Sequence, residues 1–119
     1  MCDTKDILYK NCKMISEELE EIAENGFYTH DDEDDEDGEY YFDDVYGIDY
    51  VFRSRVGLVG VRIMVACGGP NIYIDSYNEE VVGYWGSDEV HYPIRRDVAD
   101  RITDEFEMFA ESELSNFYN

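Results

Sequence analysis

The sequence predicts an α+β fold: one domain over residues 1–119, with a three- or four-stranded antiparallel sheet packed by an N-terminal and a C-terminal helix. Three observations predict it. Apolar residues recur at helical spacing near both ends of the chain, the period drops to two in the middle, and turn residues cut that middle into short runs. With 119 residues and 44% apolar side chains, the chain can build one core but not two.

The first helix is predicted over about 4–24. Asp3 or Thr4 can cap it, and Leu8, Cys12, Ile15, Leu19 and Ile22 draw one apolar stripe in steps of 4, 3, 4 and 3. Glu17, Glu18, Glu20, Glu21 and Glu24 take the other faces, and Asn25-Gly26 supplies a left-handed stop. So short a stripe suits packing on a sheet better than a coiled coil.

An acidic loop is expected over 29–46. Asp31 to Asp49 holds eleven carboxylates and no Lys or Arg, and Asp31-Asp32-Glu33-Asp34-Asp35-Glu36-Asp37 is unbroken. Such charges repel and favour an open, solvated backbone. Tyr40, Tyr41, Phe42, Tyr46 and Tyr50 sit among and after them, and a purely solvating tail would lack these rings.

Strands are predicted over about 47–86. Ile48, Tyr50 and Phe52 alternate with Asp49, Val51 and Arg53, which fits a half-buried strand, and Gly57 is the bend. Leu58 to Ala66 is almost wholly apolar apart from Arg62 and reads as a central strand covered on both faces. Cys67-Gly68-Gly69-Pro70-Asn71 is a turn. Ile72–Asp75 and Val81–Trp85 then form a hairpin closed by Gly86, Ser87 and Asp88, with Trp85 in the core. His91-Tyr92-Pro93 is extended, because a residue before proline avoids the helical region. A second helix over about 95–117 buries Val98, Ile102, Phe106, Phe109, Ala110, Leu114 and Phe117.

Charge divides the chain more sharply than hydropathy does. Residues 1–52 carry a net −15, residues 53–101 a net −1 and residues 102–119 a net −5, for a total of −21. That balance repels nucleic acid and anionic membranes, so neither is an expected direct partner. No run approaches the length of about 18 apolar residues that a membrane helix needs. The opening MCDTKD lacks a signal-peptide core, and Cys2, Cys12 and Cys67 lack CxxC spacing. A cytoplasmic setting is expected.

Catalytic and metal motifs are sparse. His30 and His91 have no nucleophile at a recognised spacing, and Cys67 beside two glycines has no evident histidine partner, so no enzyme is expected and no cofactor. Gly68-Gly69 precedes a proline and a strand rather than a helix, which argues for a turn and against a phosphate loop. Calcium is the alternative reading: Glu33, Asp35, Asp37, Gly38 and Asp44 fall on EF-hand positions within a 33–44 loop. Positions 1 and 12 of that template carry the wrong acids, and no helix follows. No metal ligand is therefore assigned.

Duplex DNA carries one negative charge per roughly 1.7 Å of axis, and proteins that bind it hold rows of Lys and Arg. Carboxylates on a helix and a loop can occupy such a groove, with tyrosines adding contact area. The expected contact residues are Asp31, Asp32, Glu33, Asp34, Asp35, Glu36, Asp37, Glu39, Tyr40, Tyr41, Asp43 and Asp44.

A small acidic chain without catalytic motifs resembles the anti-CRISPR and antirestriction proteins of phages and mobile elements. The run ACGGPNIYIDSYNEEVVGYWG, Ala66 to Gly86, also looks like a segment of such proteins. The resemblance implies a nucleic-acid mimic that blocks a basic nucleic-acid-binding protein in the host cytosol. That target is a Cas effector, a Cascade subunit or a restriction enzyme.

Overall fold

The computed structural model describes residues 4–26, 28–29, 39–42 and 45–118, with side chains in 4–26, 41–42 and 45–112. The order is α1 (Thr4–Asn25), β1 (Tyr28–Thr29), β2 (Glu39–Tyr40), β3 (Gly47–Arg53), β4 (Gly57–Ala66), β5 (Asn71–Asp75), β6 (Glu80–Trp85), β7 (Asp88–Pro93) and α2 (Arg96–Tyr118). The predicted α+β class is the one observed. β1 and β2 form a two-stranded ladder of their own, and β3 to β7 form an antiparallel meander in sequence order.

The sheet has five strands, one more than the upper expectation. The addition is β7, since the extended His91-Tyr92-Pro93 segment pairs with β6 along its length. A two-residue link, Gly86-Ser87, joins Trp85 to Asp88, and Gly86 takes φ +63°, which a side chain would strain. Burial alternates along β7, with Asp88, Val90 and Tyr92 turned inward and Glu89, His91 and Pro93 exposed.

Register puts Ile63, Ile74 and Val81 on one face, where they meet Leu8, Cys12 and Leu19 of α1 and Val98, Ile102 and Phe106 of α2 in a single core. Gly83 lets α1 approach: a Cβ there would stand 2.6 Å from Leu8 Cδ1 and 2.9 Å from Cys12 Sγ. Ser76 continues the order past the end of β5. Its amide donates to the Val61 carbonyl, its Oγ accepts from the Val61 amide at 2.8 Å, and its hydroxyl meets that of Thr103 in α2 at 2.8 Å.

Both helices therefore lie on the same side, and the expectation that β4 is covered on both faces is corrected. Val61 and Ile63 face the helices and are fully buried, while Arg62 and Met64 face the other way and are half-buried. On that second face neighbouring strands supply the cover. Arg62 Cζ lies 4.2 Å from the centre of the Tyr73 ring, and Tyr73 meets Tyr84 edge-on at 6.1 Å. An apolar run reads alike under a helix and under its own sheet's aromatic rings.

α1 ends as expected, with Gly26 at φ +99° and its amide on the Ile22 carbonyl at 2.7 Å. In α2 Phe109 departs from the predicted buried stripe. It leans on Phe106 at 6.1 Å but stays 50% exposed, because the stripe follows Val98, Ile102, Phe106 and Ala110. Leu114 and Phe117 lie outside the described side chains. Among the described residues no helix is long and apolar enough to cross a membrane.

Candidate acidic interface

Of the twelve expected contact residues, Asp31, Asp32, Glu33, Asp34, Asp35, Glu36, Asp37, Asp43 and Asp44 lie outside the described residues, as does the proposed calcium loop apart from Glu39 to Phe42. Glu39 and Tyr40 are described in backbone only. They form β2, and β2 pairs with β1 in the register Tyr28↔Tyr40 and Thr29↔Glu39. Tyr28-Thr29, before the acidic run in sequence, and Glu39-Tyr40, after it, are thereby held side by side. The expected acidic loop of 29–46 thus begins in β1, includes β2 at Glu39–Tyr40 and stops just before β3 at Gly47.

Tyr41 is the one expected contact residue whose side chain is described, and its setting is structural. It is half-buried, its hydroxyl donates to Glu18 Oε2 at 2.9 Å, and its ring meets Phe42 edge-on at 5.1 Å. Burial, then the Glu18 charge, hold its phenol well above the usual tyrosine range. Phe42 is 3% exposed and packs on Phe106 of α2 at 5.1 Å. The chain leaving the acidic run is thus clamped to both helices at consecutive residues. The rings among the carboxylates were visible in the sequence, but which of them faced inward was not.

The helices at this clamp are themselves acidic. In α1 Glu17, Glu21 and Glu24 are exposed, and no Lys or Arg occurs between Lys13 and the end of the helix. In α2 Asp97, Asp100, Asp104, Glu107 and Glu111 are exposed, with no base after Arg101. Arg101 joins the two: its Nη1 donates to the Ala23 carbonyl in the last turn of α1, where a cation complements the helix dipole. Exposed carboxylates of α1 and α2 thus flank the Tyr41–Phe42 clamp.

No protein family, curated protein or solved structure matches the chain.

The rest of the surface offers other chemistry. On the helix-free face His91 places Nδ1 2.9 Å from Glu80 Oε2 and Nε2 2.9 Å from Glu89 Oε2. Both nitrogens can donate only in the imidazolium, so the two hydrogen bonds, Glu89 first, raise its pKa above 6.5. Among the described residues no group of three or more His, Cys, Asp or Glu side chains is arranged to hold a metal. Cys67 is exposed on its turn, whereas Cys12 is enclosed by the core and burial pushes its thiol up to about 11. An apolar surface cleft of about 230 Å³, lined by Ile15, Tyr41, Val45, Val65 and Ala66, adjoins the clamp.

Proposed function

We propose that the protein is a non-enzymatic inhibitor whose carboxylate surface occupies the nucleic-acid channel of a basic immune protein, a Cas effector or a restriction enzyme, in the host cytosol. The observation that supports this reading is the Tyr41–Phe42 clamp. It seats the chain that leaves the acidic run between two helices whose exposed sides are also acidic. Gathering like charges in this way opposes folding, so a scaffold alone has no use for it. A partner with a row of Lys and Arg gains from it, because opposite charged surfaces associate fast and in register.

The test is competition. A candidate effector is loaded with its duplex or guide, and displacement is followed with the native chain and with a variant carrying Asp34→Asn, Asp35→Asn, Asp37→Asn and Asp43→Ser. Mutually exclusive binding is expected, with slower association for the variant and unchanged or higher thermal stability. A ternary complex of effector, nucleic acid and native chain at unaltered affinities would sink the mimicry reading. Saturable 1:1 calcium binding in calorimetry would favour a calcium module over 33–44 instead.

A further inference from the structure

The five-stranded sheet ends on two edges, β3 and β7, and they are built differently. β7 carries Asp88 and Glu89 and ends at Pro93, devices that discourage the addition of another strand. β3 is seven residues long, GIDYVFR, with one acid, one base and an otherwise uncharged run. Among the described residues no strand lies on its outer side. Residues 47–66, the β3–β4 hairpin, hold one acid against three arginines in a chain of net charge −21. Two copies of so acidic a protein repel over most of their surfaces, but not through this hairpin.

We propose that the outer edge of β3 pairs antiparallel with β3 of a second copy, with Val51 on the two-fold axis. This goes beyond the inhibitory reading and does not depend on it. The register decides the matter. Centred on Val51, each Asp49 faces Arg53 of the other copy and each Tyr50 faces Phe52, so every contact occurs twice, as an isologous interface requires. Centred on Tyr50, Asp49 would face Val51 and the charges would go unpaired. Centred on Asp49, two carboxylates would meet.

The side chains are placed for the favoured register. Asp49 and Arg53 are exposed, Arg53 Nη2 reaching the Tyr77 hydroxyl only at 3.5 Å, and Asp49 neighbours Arg62 across the β3–β4 ladder, which leaves its outer side for a second guanidinium. Tyr50 and Phe52 share the opposite face with centroids 6.4 Å apart, and Phe52 is 42% exposed. Pairing two copies assembles four rings across the axis and extends the sheet from five strands to ten.

Sedimentation equilibrium of the full chain at about 0.15 M salt should give a dimer. Asp49→Arg and Arg53→Asp, each singly, should raise the dissociation constant by about tenfold or more. The double variant, Asp49→Arg with Arg53→Asp, should return it, because the pair is rebuilt with its charges exchanged. Circular dichroism of each variant establishes that it is folded, and the rescue does not rely on any one variant alone. A chain that stays monomeric to about 100 μM overturns the proposal, since a specific dimer is tighter. So does a dimer indifferent to either single change, or a folded double variant that fails to recover.

Discussion

The hydroxyl of Tyr41 donates to the Glu18 carboxylate at 2.9 Å, while the ring of the next residue, Phe42, packs on Phe106. The two residues form a turn and their rings touch edge-on at 5.1 Å, yet each meets a different helix. The connection between the acidic run and the fold depends on that pair.

The two anchors differ in kind, so their removal should differ in size. Tyr41→Phe removes one hydrogen bond from a half-exposed Glu18 that can rehydrate, at a cost of about 1 kcal/mol. Phe42→Ala empties a buried ring site and should cost about 3–5 kcal/mol. Urea unfolding of the two variants measures both. The opposite order would mean that the hydrogen bond, not the ring, fastens the segment.

Two glycines are required by approach rather than by φ. A Cβ at Gly60 would stand 2.4 Å from Tyr77 Cβ and 2.8 Å from its Cα, and backbone cannot give way. At Gly83 the obstacles are the ends of Leu8 and Cys12, which can shift. Gly83→Ala should cost about 1–3 kcal/mol by overpacking, and Gly60→Ala more. In the 67–71 turn, Gly68 has φ +105° whereas Gly69 has no positive φ and only Trp85 Nε1, 3.7 Å away, near its Cβ position. Gly68→Val should therefore lower the melting temperature and Gly69→Ala should leave it nearly unchanged.

His91 gives stability a pH dependence of known sign. Its folded pKa is raised above 6.5 by hydrogen bonds to Glu89 and Glu80, so the favourable term is fully present below the unfolded value. It is lost as pH rises through the folded value. The difference in stability between the native chain and His91→Gln should shrink across that window, starting near neutrality. Proton resonances of the imidazole report the folded pKa directly, and a value at or below 6.5 would contradict the bridged geometry.

The thiols should divide by burial. With its pKa near 11, Cys12 at pH 8 is thiolate in about one molecule in a thousand, and it is enclosed as well. Cys67 is exposed. Mass spectrometry after iodoacetamide treatment of the folded chain should find Cys67 alkylated and Cys12 untouched, with both modified in denaturant. Inhibition that survives alkylation of Cys67 would count against a nucleophile there.

Much of this architecture was legible in the residues, for physical reasons that are local. The spacing of Leu8, Cys12, Leu19 and Ile22 determined α1, and Gly26 its end, because a helix stripe and a left-handed stop need only near neighbours. The same is true of Val98, Ile102, Phe106 and Ala110 in α2, and of the bend at Gly57. The division of charge was plain from the chain alone.

What the sequence could not determine concerns partners distant along the chain. Trp85, expected in the core, packs against it yet remains partly exposed, since its strand position fixes a direction but not what lies beyond. β7 became a strand because β6 offered it an edge. β4 carries its helices on one side only, and the hydroxyl of Tyr41, one of the expected contacts, donates to Glu18. Periodicity tells which residues share a face; only tertiary packing decides what that face meets, because the choice rests on contacts between segments as far apart as Ser16 and Pro93.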